Sequence, residues 1–316
     1  MISSCVSRTE CASETGQILG ATYAVDVQGD YAYLASGQAG LRVVDVSNSA
    51  HPRIIGSSDT PGYAVDIVVV EGWAYVASMW RGLCVVDVSD PEAPAEVACL
   101  DTPGRAQGVA VAGDHAYVTG WSSGLRVIDI SEPTAVVEVG SCDTSGKAHG
   151  VALSGDYAYV ADGPSGVRIL DVSDSTEPFE VGSCDTPGYS YDVAAAHQRV
   201  YVADGSGGLR VLDVSDVNRP AEVVSSDTRG KAHALALDGG CAYVADGPYG
   251  LRVIGLVGDG PLLEVGHYDT PAYAIDVAVA GAFAYVADNW GGLRIIGLPQ
   301  HEHWAGKEEQ SACGQN

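Results

Sequence analysis

Residues 148–185 read AHGVALSGDYAYVADGPSGVRILDVSDSTEPFEVGSCD, from Ala148 to Asp185. Turn residues cut this stretch into four short runs rich in Val, Tyr, Leu and Ile: HGVAL, YAYVAD, GVRILDVS and FEVGSC, here called strands a, b, c and d. Ser-Gly-Asp separates a from b, Gly-Pro-Ser-Gly separates b from c, and Ser-Asp-Ser-Thr-Glu-Pro separates c from d. Each link carries Gly, Pro or Asp, the residues that turns select. No run has the length and 3.6-residue period of a helix.

Outward from this unit the pattern recurs. Strand c restarts at Gly40, Gly82, Gly124, Gly166, Gly208, Gly250 and Gly292, an interval of 42 residues each time. Seven units of four strands predict an all-β chain, a seven-bladed β-propeller with four antiparallel strands per blade. The last unit runs out after Leu293–Leu298 with no strand d, while Gln17-Ile-Leu-Gly20 stands before the first strand a and reads like the d runs Arg53-Ile-Ile-Gly56 and Glu264-Val-Gly266. An N-terminal strand completing the last blade would close the ring and leave no open array ends. The expected organisation is a tail over 1–16, the propeller over 17–299 and a second tail over 300–316.

The repeated Leu-Arg-Val-Val-Asp-Val-Ser core and the Tyr-Val-Ala-Asp strand before it resemble the LVIVD-repeat propellers over about residues 17 to 299. The resemblance implies a propeller of a mostly surface or secreted family without an assigned chemistry. Gly255 and Gly297 depart from it, standing where other copies have Asp45, Asp87, Asp129, Asp171 and Asp213.

Composition narrows the partners. Forty-one acidic against 16 basic residues give a formal charge of −25, which repels nucleic acid and anionic lipid. No apolar stretch is long enough to span a bilayer, and Met1–Gly16 lacks the basic start and apolar run of a signal peptide. Ile2-Ser-Ser-Cys5 resembles the end of a lipoprotein signal, and the expected location is secreted or cell surface. A monomer is expected.

Residues present in nearly every unit serve the scaffold. The strand-c Asp residues are expected to accept turn N–H groups, and Arg42, Arg126, Arg168, Arg210, Arg252 and Arg294 to make inter-blade ion pairs or bonds to carbonyls, Cys84 being the exception in the series. Cys84, Cys99, Cys142, Cys184 and Cys241 read as small buried hydrophobes. In the tails, Cys11–Cys313, Cys5–Cys313 and Cys5–Cys11 are alternative bridges. No Cys-x-x-Cys pair signals zinc, His301-Glu302-His303 is a weak metal candidate, and no cofactor or metal is expected.

Function on a repeat scaffold belongs where the copies differ. The d-to-a and b-to-c links share one face, the top, and strand a lies innermost, so its first residues ring the mouth of the central channel. That rim position holds Tyr63, Arg105, Lys147, Tyr189, Lys231 and Tyr273, with Tyr23 taken for blade one. Two positions on stand Val65, Gln107, His149, Tyr191, His233 and Ile275, and next Asp66, Gly108, Gly150, Asp192, Ala234 and Asp276, with Asp26 in blade one. Tyr at the rim accompanies Asp, and Lys or Arg accompanies Gly or Ala. A Tyr–Asp bond exchanged for a Lys paired with a neighbouring Asp is the structural explanation; an anion-holding arc is the functional one. The b-to-c loops add Trp80, Trp121, Tyr249 and Trp290, a ring set suited to a sugar, a peptide or a flat ligand. The leading expectation is a non-enzymatic binding module for a small anionic or sugar-like molecule or a protein. The alternatives are an enzyme with His149 and His233 as acid or base, and a purely structural surface protein.

Overall fold

The computed structural model describes residues 12–256 and 260–298. Its strands form seven four-stranded antiparallel sheets, the blades. Blade four consists of Val151–Ser154, Tyr157–Ala161, Val167–Asp171 and Phe179–Cys184. Strands b and c alternate small and branched side chains, and these interlock between blades: Tyr117, Leu125 and Val127 of blade three pack on Ala158, Val160 and Leu170 of blade four. Each fully buried branched side chain contributes about 1.5–3 kcal/mol. Among the described residues no helix is long and apolar enough to cross a membrane.

The ring closes as expected. Ser13–Ile18 pairs antiparallel with Leu293–Gly297 of blade seven, Ser13 opposite Gly297 and Ile18 opposite Leu293. The strand begins four residues before Gln17, and Glu14-Thr15-Gly16 stands where blade six has Glu264-Val265-Gly266. It also carries the register shift of the in-chain d strands, between Glu14 and Gly16. A side chain at Gly16 would run into the Ser49 carbonyl of blade one, so the glycine lets the closing strand seat against the next blade.

The repeated polar residues hold turns and corners. Asp45, Asp87, Asp129, Asp171 and Asp213 each accept the N–H of the serine two residues on, at 2.8–3.1 Å. The arginine pairs expected between blades form within them instead. Arg168 reaches Asp162 at 3.5 Å, Glu180 at 3.6 Å and Asp185 at 3.7 Å, all of its own blade, and Arg210 and Arg252 repeat the arrangement. Arg294 extends the set to the closing strand through Glu14 at 3.3 Å.

Blade two replaces this network with a covalent bond. Cys84 and Cys99, read from sequence as separate buried hydrophobes, form a disulfide across strands c and d with Cα atoms 4.1 Å apart. They occupy the positions that Arg168 and Ser183 hold in blade four. Cys142, Cys184 and Cys241 are free thiols; Cys241 is buried as expected, whereas Cys142 and Cys184, on the outer strands of their blades, are only partly buried. Cys5, Cys11, Cys313 and His301–His303 lie outside the described residues.

Candidate functional site

The channel mouth is built by inter-blade bridges. The first residue of each b-to-c loop pairs with the residue before the inner-ring position of the next blade: Gly37 with Ala64, Met79 with Ala106, Trp121 with Ala148, and so round to Asn289 with Thr22. These bridges fix the register and correct the alignment of blade one. Tyr23 donates its N–H to the Ala35 carbonyl as Val65 does to Ala77 and His149 to Ala161, so Tyr23 belongs to the inner ring with His149 and Tyr191. Ala24, opposite Ala35, takes the place of Asp66, opposite Ala77, and Asp26 lies two residues deeper. The missing residues are in the d-to-a link, where only Leu19, Gly20 and Ala21 separate Ile18 from Thr22.

Inside the mouth lies a cavity of about 170 Å³. Its wall carries Gln107, His149, Tyr191 and His233 on one side, Tyr23, Val65 and Ile275 on the other, and Asp66, Asp192 and Asp276 below. Gln107 Nε2 is buried there without a hydrogen-bond partner among the described residues. Arg105, Lys147 and Lys231 are exposed and stand on the rim rather than in the cavity wall. Among the described residues none of the three makes an ion pair; Arg105 lies 5.5 Å over the Trp80 ring and Lys147 5.0 Å over Trp121.

Neither half of the Tyr–Asp and Lys–Asp explanation forms. The rim tyrosines reach back to the inner ring of the preceding blade: Tyr63 to Tyr23, Tyr189 to His149 Nε2 at 3.0 Å and Tyr273 to His233 Nε2 at 3.0 Å. The aspartates accept N–H groups of the following blade, Asp66 from Val109 at 2.8 Å, Asp192 from Leu235 at 3.0 Å and Asp276 from Val25 at 2.8 Å.

The alternation has a packing cause. A Cβ at Gly37, Gly163 or Gly247 would strike the ring of Tyr63, Tyr189 or Tyr273. Where the rim residue is Arg105 or Lys147, the loop supplies the bulk through Met79 or Trp121, held at φ 40° and 56° in a region that non-glycine residues seldom enter. That strained backbone sets the Trp121 ring 4.9 Å from His149 and under Lys147. At Lys231 the loop residue is Gly205 and the Tyr191 ring fills the space.

A continuous aromatic arc results on one side of the mouth. Trp121, His149, Tyr191, His233 and Tyr273 follow one another with ring centroids 4.5–5.4 Å apart, Tyr189 packing beside them. Trp80 and Trp290 project further out, 58% and 75% exposed, and Tyr249 stacks with Arg252 of its own blade.

Electrostatics divide the site by depth. Burial, then the charge of Lys147, lowers His149 to about 4, and burial with Lys231 does the same to His233, so both imidazoles are neutral at physiological pH. Burial raises Asp192 to about 7 and Asp276 to about 6, and Asp66 well above the carboxylate range with Asp276 adding to it. These carboxylates are mostly buried but touch the channel bore, and the protein packed around that narrow bore is what desolvates them. Cationic rim, neutral aromatic wall and acidic floor follow one another down the channel.

Comparison with known proteins agrees with the architecture. The backbone is similar to the computationally designed Ika8 protein, with TM-score 0.66 and 10% identity over 90% of this chain and 100% of that one. It is also similar to a chain in the crystal structure of the Mitotic Checkpoint Complex, with TM-score 0.76 and 12% identity over 95% and 96%. At such identity only the fold carries over. Among curated proteins the chain finds no match. The LVIVD-repeat model matches residues 19–60, 61–102, 103–144, 145–186, 187–228, 229–270 and 271–297 in succession, and with these seven repeats the chain belongs to the LVIVD-repeat family.

Proposed function

We propose that this propeller is a non-enzymatic binding module that holds a small acid at the top-face mouth, its anionic group on the rim and its flat or hydroxylated body against the aromatic arc. The observation that carries this reading is the set of exposed rim cations Arg105, Lys147 and Lys231, without ion pairs among the described residues while Arg126, Arg168, Arg210, Arg252 and Arg294 are each tied to carboxylates. A carboxylate or phosphate between such cations gains about 1.5–3 kcal/mol per charge-assisted bond. Asp276, raised only to about 6, keeps most of its negative charge at neutral pH and disfavours an anion at the floor, which keeps the charged end at the rim. Gln107, with its unpartnered Nε2, and the neutral imidazoles offer hydrogen bonds to the body of the ligand.

Acid–base catalysis has less support: each imidazole bonds the phenol of a rim tyrosine and so ties one blade to the next, a structural pairing. The Cys84–Cys99 disulfide supports an oxidising compartment and so a secreted or cell-surface location. A thermal-shift panel of sugar acids, aromatic carboxylates and phosphate monoesters, each beside its neutral analogue, tests the reading. Acids that stabilise where their neutral analogues do not are expected; stabilisation by the neutral analogues alone, or by acid and analogue equally, overturns it.

A further inference from the structure

The blade-two disulfide stands in a place built for a cation. In blades three to seven the residue at that point of strand c is an arginine, and a strand-d glutamate reaches it: Arg126 with Glu138 at 3.5 Å, Arg168 with Glu180 at 3.6 Å, Arg210 with Glu222 at 3.4 Å, Arg252 with Glu264 at 3.7 Å and Arg294 with Glu14 at 3.3 Å. Blade two keeps the glutamate, Glu96, but has Cys84 for the arginine and Cys99 opposite it. Arg81 covers the loss only in part, since its guanidinium bonds Asp101 at 3.1 Å and is half-exposed. One Glu96 carboxylate oxygen and the two sulfurs lie within 4.8 Å of one another.

We propose that Cys84, Cys99 and Glu96 form a redox-gated site for a thiophilic divalent cation such as Zn²⁺. In an oxidising compartment the sulfurs rest as the disulfide. A dithiol reductant converts the disulfide to two thiols and leaves as its own cyclic disulfide; two electrons and two protons pass from one pair to the other. Metal binding then displaces both thiol protons to solvent and gives two thiolate ligands and one carboxylate, with the fourth tetrahedral position open to water. Zinc–sulfur bonds of about 2.3 Å require tetrahedral thiolates roughly 3.8 Å apart. Cys84 and Cys99 face each other with Cα atoms 4.1 Å apart, so rotation of the two side chains opens the sulfurs from a disulfide to that spacing without moving the strands. As a ligand, Glu96 would bond the metal at the place where its counterparts in the other blades bond an arginine; the two thiolates balance the charge of the metal, so the metal and its thiolates form a neutral unit. Access is from the outer edge, where Glu96 is exposed and Cys99 half-buried, while Cys84 lies beneath.

The test is an anaerobic Co²⁺ titration of the full chain, reduced with dithiothreitol and desalted, against the oxidised chain. Reduced protein is expected to show thiolate-to-cobalt charge-transfer bands, displaced by Zn²⁺, and a higher melting temperature with Zn²⁺; oxidised protein is expected to show neither. Cys99→Ser, reduced in the same way, is expected to lose the two-thiolate bands, which separates this pair from the other cysteines. Glu96→Gln, a surface change that leaves the fold intact, is expected to keep the bands with at least about tenfold weaker affinity. Equal binding by the oxidised chain, bands retained in Cys99→Ser, or unchanged affinity in Glu96→Gln would each overturn the proposal.

Discussion

His149 Nε2 lies 3.0 Å from the Tyr189 phenol oxygen, a bond that joins blade four to blade five at the channel mouth. His233 and Tyr273 repeat it between blades six and seven. Burial and then the Lys147 charge keep the imidazole neutral, and its pH dependence follows. His149 takes a proton at about 4 in the fold but near 6.5 when unfolded. Between those values the unfolded chain binds more protons, so the contribution of His149 is complete above about pH 6.5 and is lost as pH falls towards 4. Asp192 and Asp276 titrate over the same range with the opposite sign. They cancel in a difference between two proteins that both carry them. The stability advantage of wild type over His149→Gln, from urea unfolding at a series of pH values, is therefore expected to shrink from pH 7 to pH 4; a constant difference would contradict the account.

Ring closure rests on residues far apart in sequence. Deleting residues 1–20 removes the strand Ser13–Ile18 and the Glu14 partner of Arg294, and exposes the edge of Leu293–Gly297. The truncated chain is expected to melt lower and to aggregate. Melting within error of the full chain would show that the seventh blade does not need its fourth strand.

Blade two depends on its disulfide in place of an ion-pair network. Cys84 and Cys99 are 15 residues apart, and a bridge over such a loop contributes about 3 kcal/mol. Peptide mapping without reduction is expected to recover residues 84 and 99 as one cross-linked species, with Cys142, Cys184 and Cys241 alkylated only as free thiols. Cys99→Ser is expected to lower stability by about that amount.

The loop-and-rim exchange predicts compensation between Gly163 and Tyr189. Gly163→Trp alone forces a Cβ to 2.9 Å from the Tyr189 ring at φ +58°, and is expected to cost at least about 1–3 kcal/mol. Combining it with Tyr189→Lys recreates the Trp121–Lys147 arrangement of the neighbouring junction. The double variant is expected to be more stable than Gly163→Trp. Additive losses would mean that the two positions do not share one volume.

The fold was legible because a 42-residue period and four turn-bounded runs admit few architectures. Two features escaped for reasons of register. Sliding Tyr23 onto the Tyr63 position is a two-residue shift, which preserves the inward and outward alternation of a strand, so hydrophobic pattern could not expose it. The strict period places Tyr23 with Val65, as the bridge from Thr22 to Asn289 shows. The Cys84–Cys99 bond was hidden by the bulge in strand d. Counted evenly from Asp87 opposite Ala95, Cys84 would face Ala98; the shift between Val85 and Val86 brings Cys99 there instead. At the mouth, the variable residues were visible as a set, but their division into cationic rim and acidic floor needed the cavity, since Arg105, Lys147 and Lys231 fall outside its wall and Asp66, Asp192 and Asp276 within it.

The rim cations decide the functional account, and calorimetric titration of the best-stabilising acid into wild type and into an Arg105→Ala, Lys147→Ala, Lys231→Ala triple variant tests them directly. All three side chains are exposed and without ion pairs among the described residues, so the variant is expected to melt close to wild type while heat of binding disappears. A triple variant that binds the acid as wild type does, or one that unfolds readily because these cations stabilise the ring, would contradict the account.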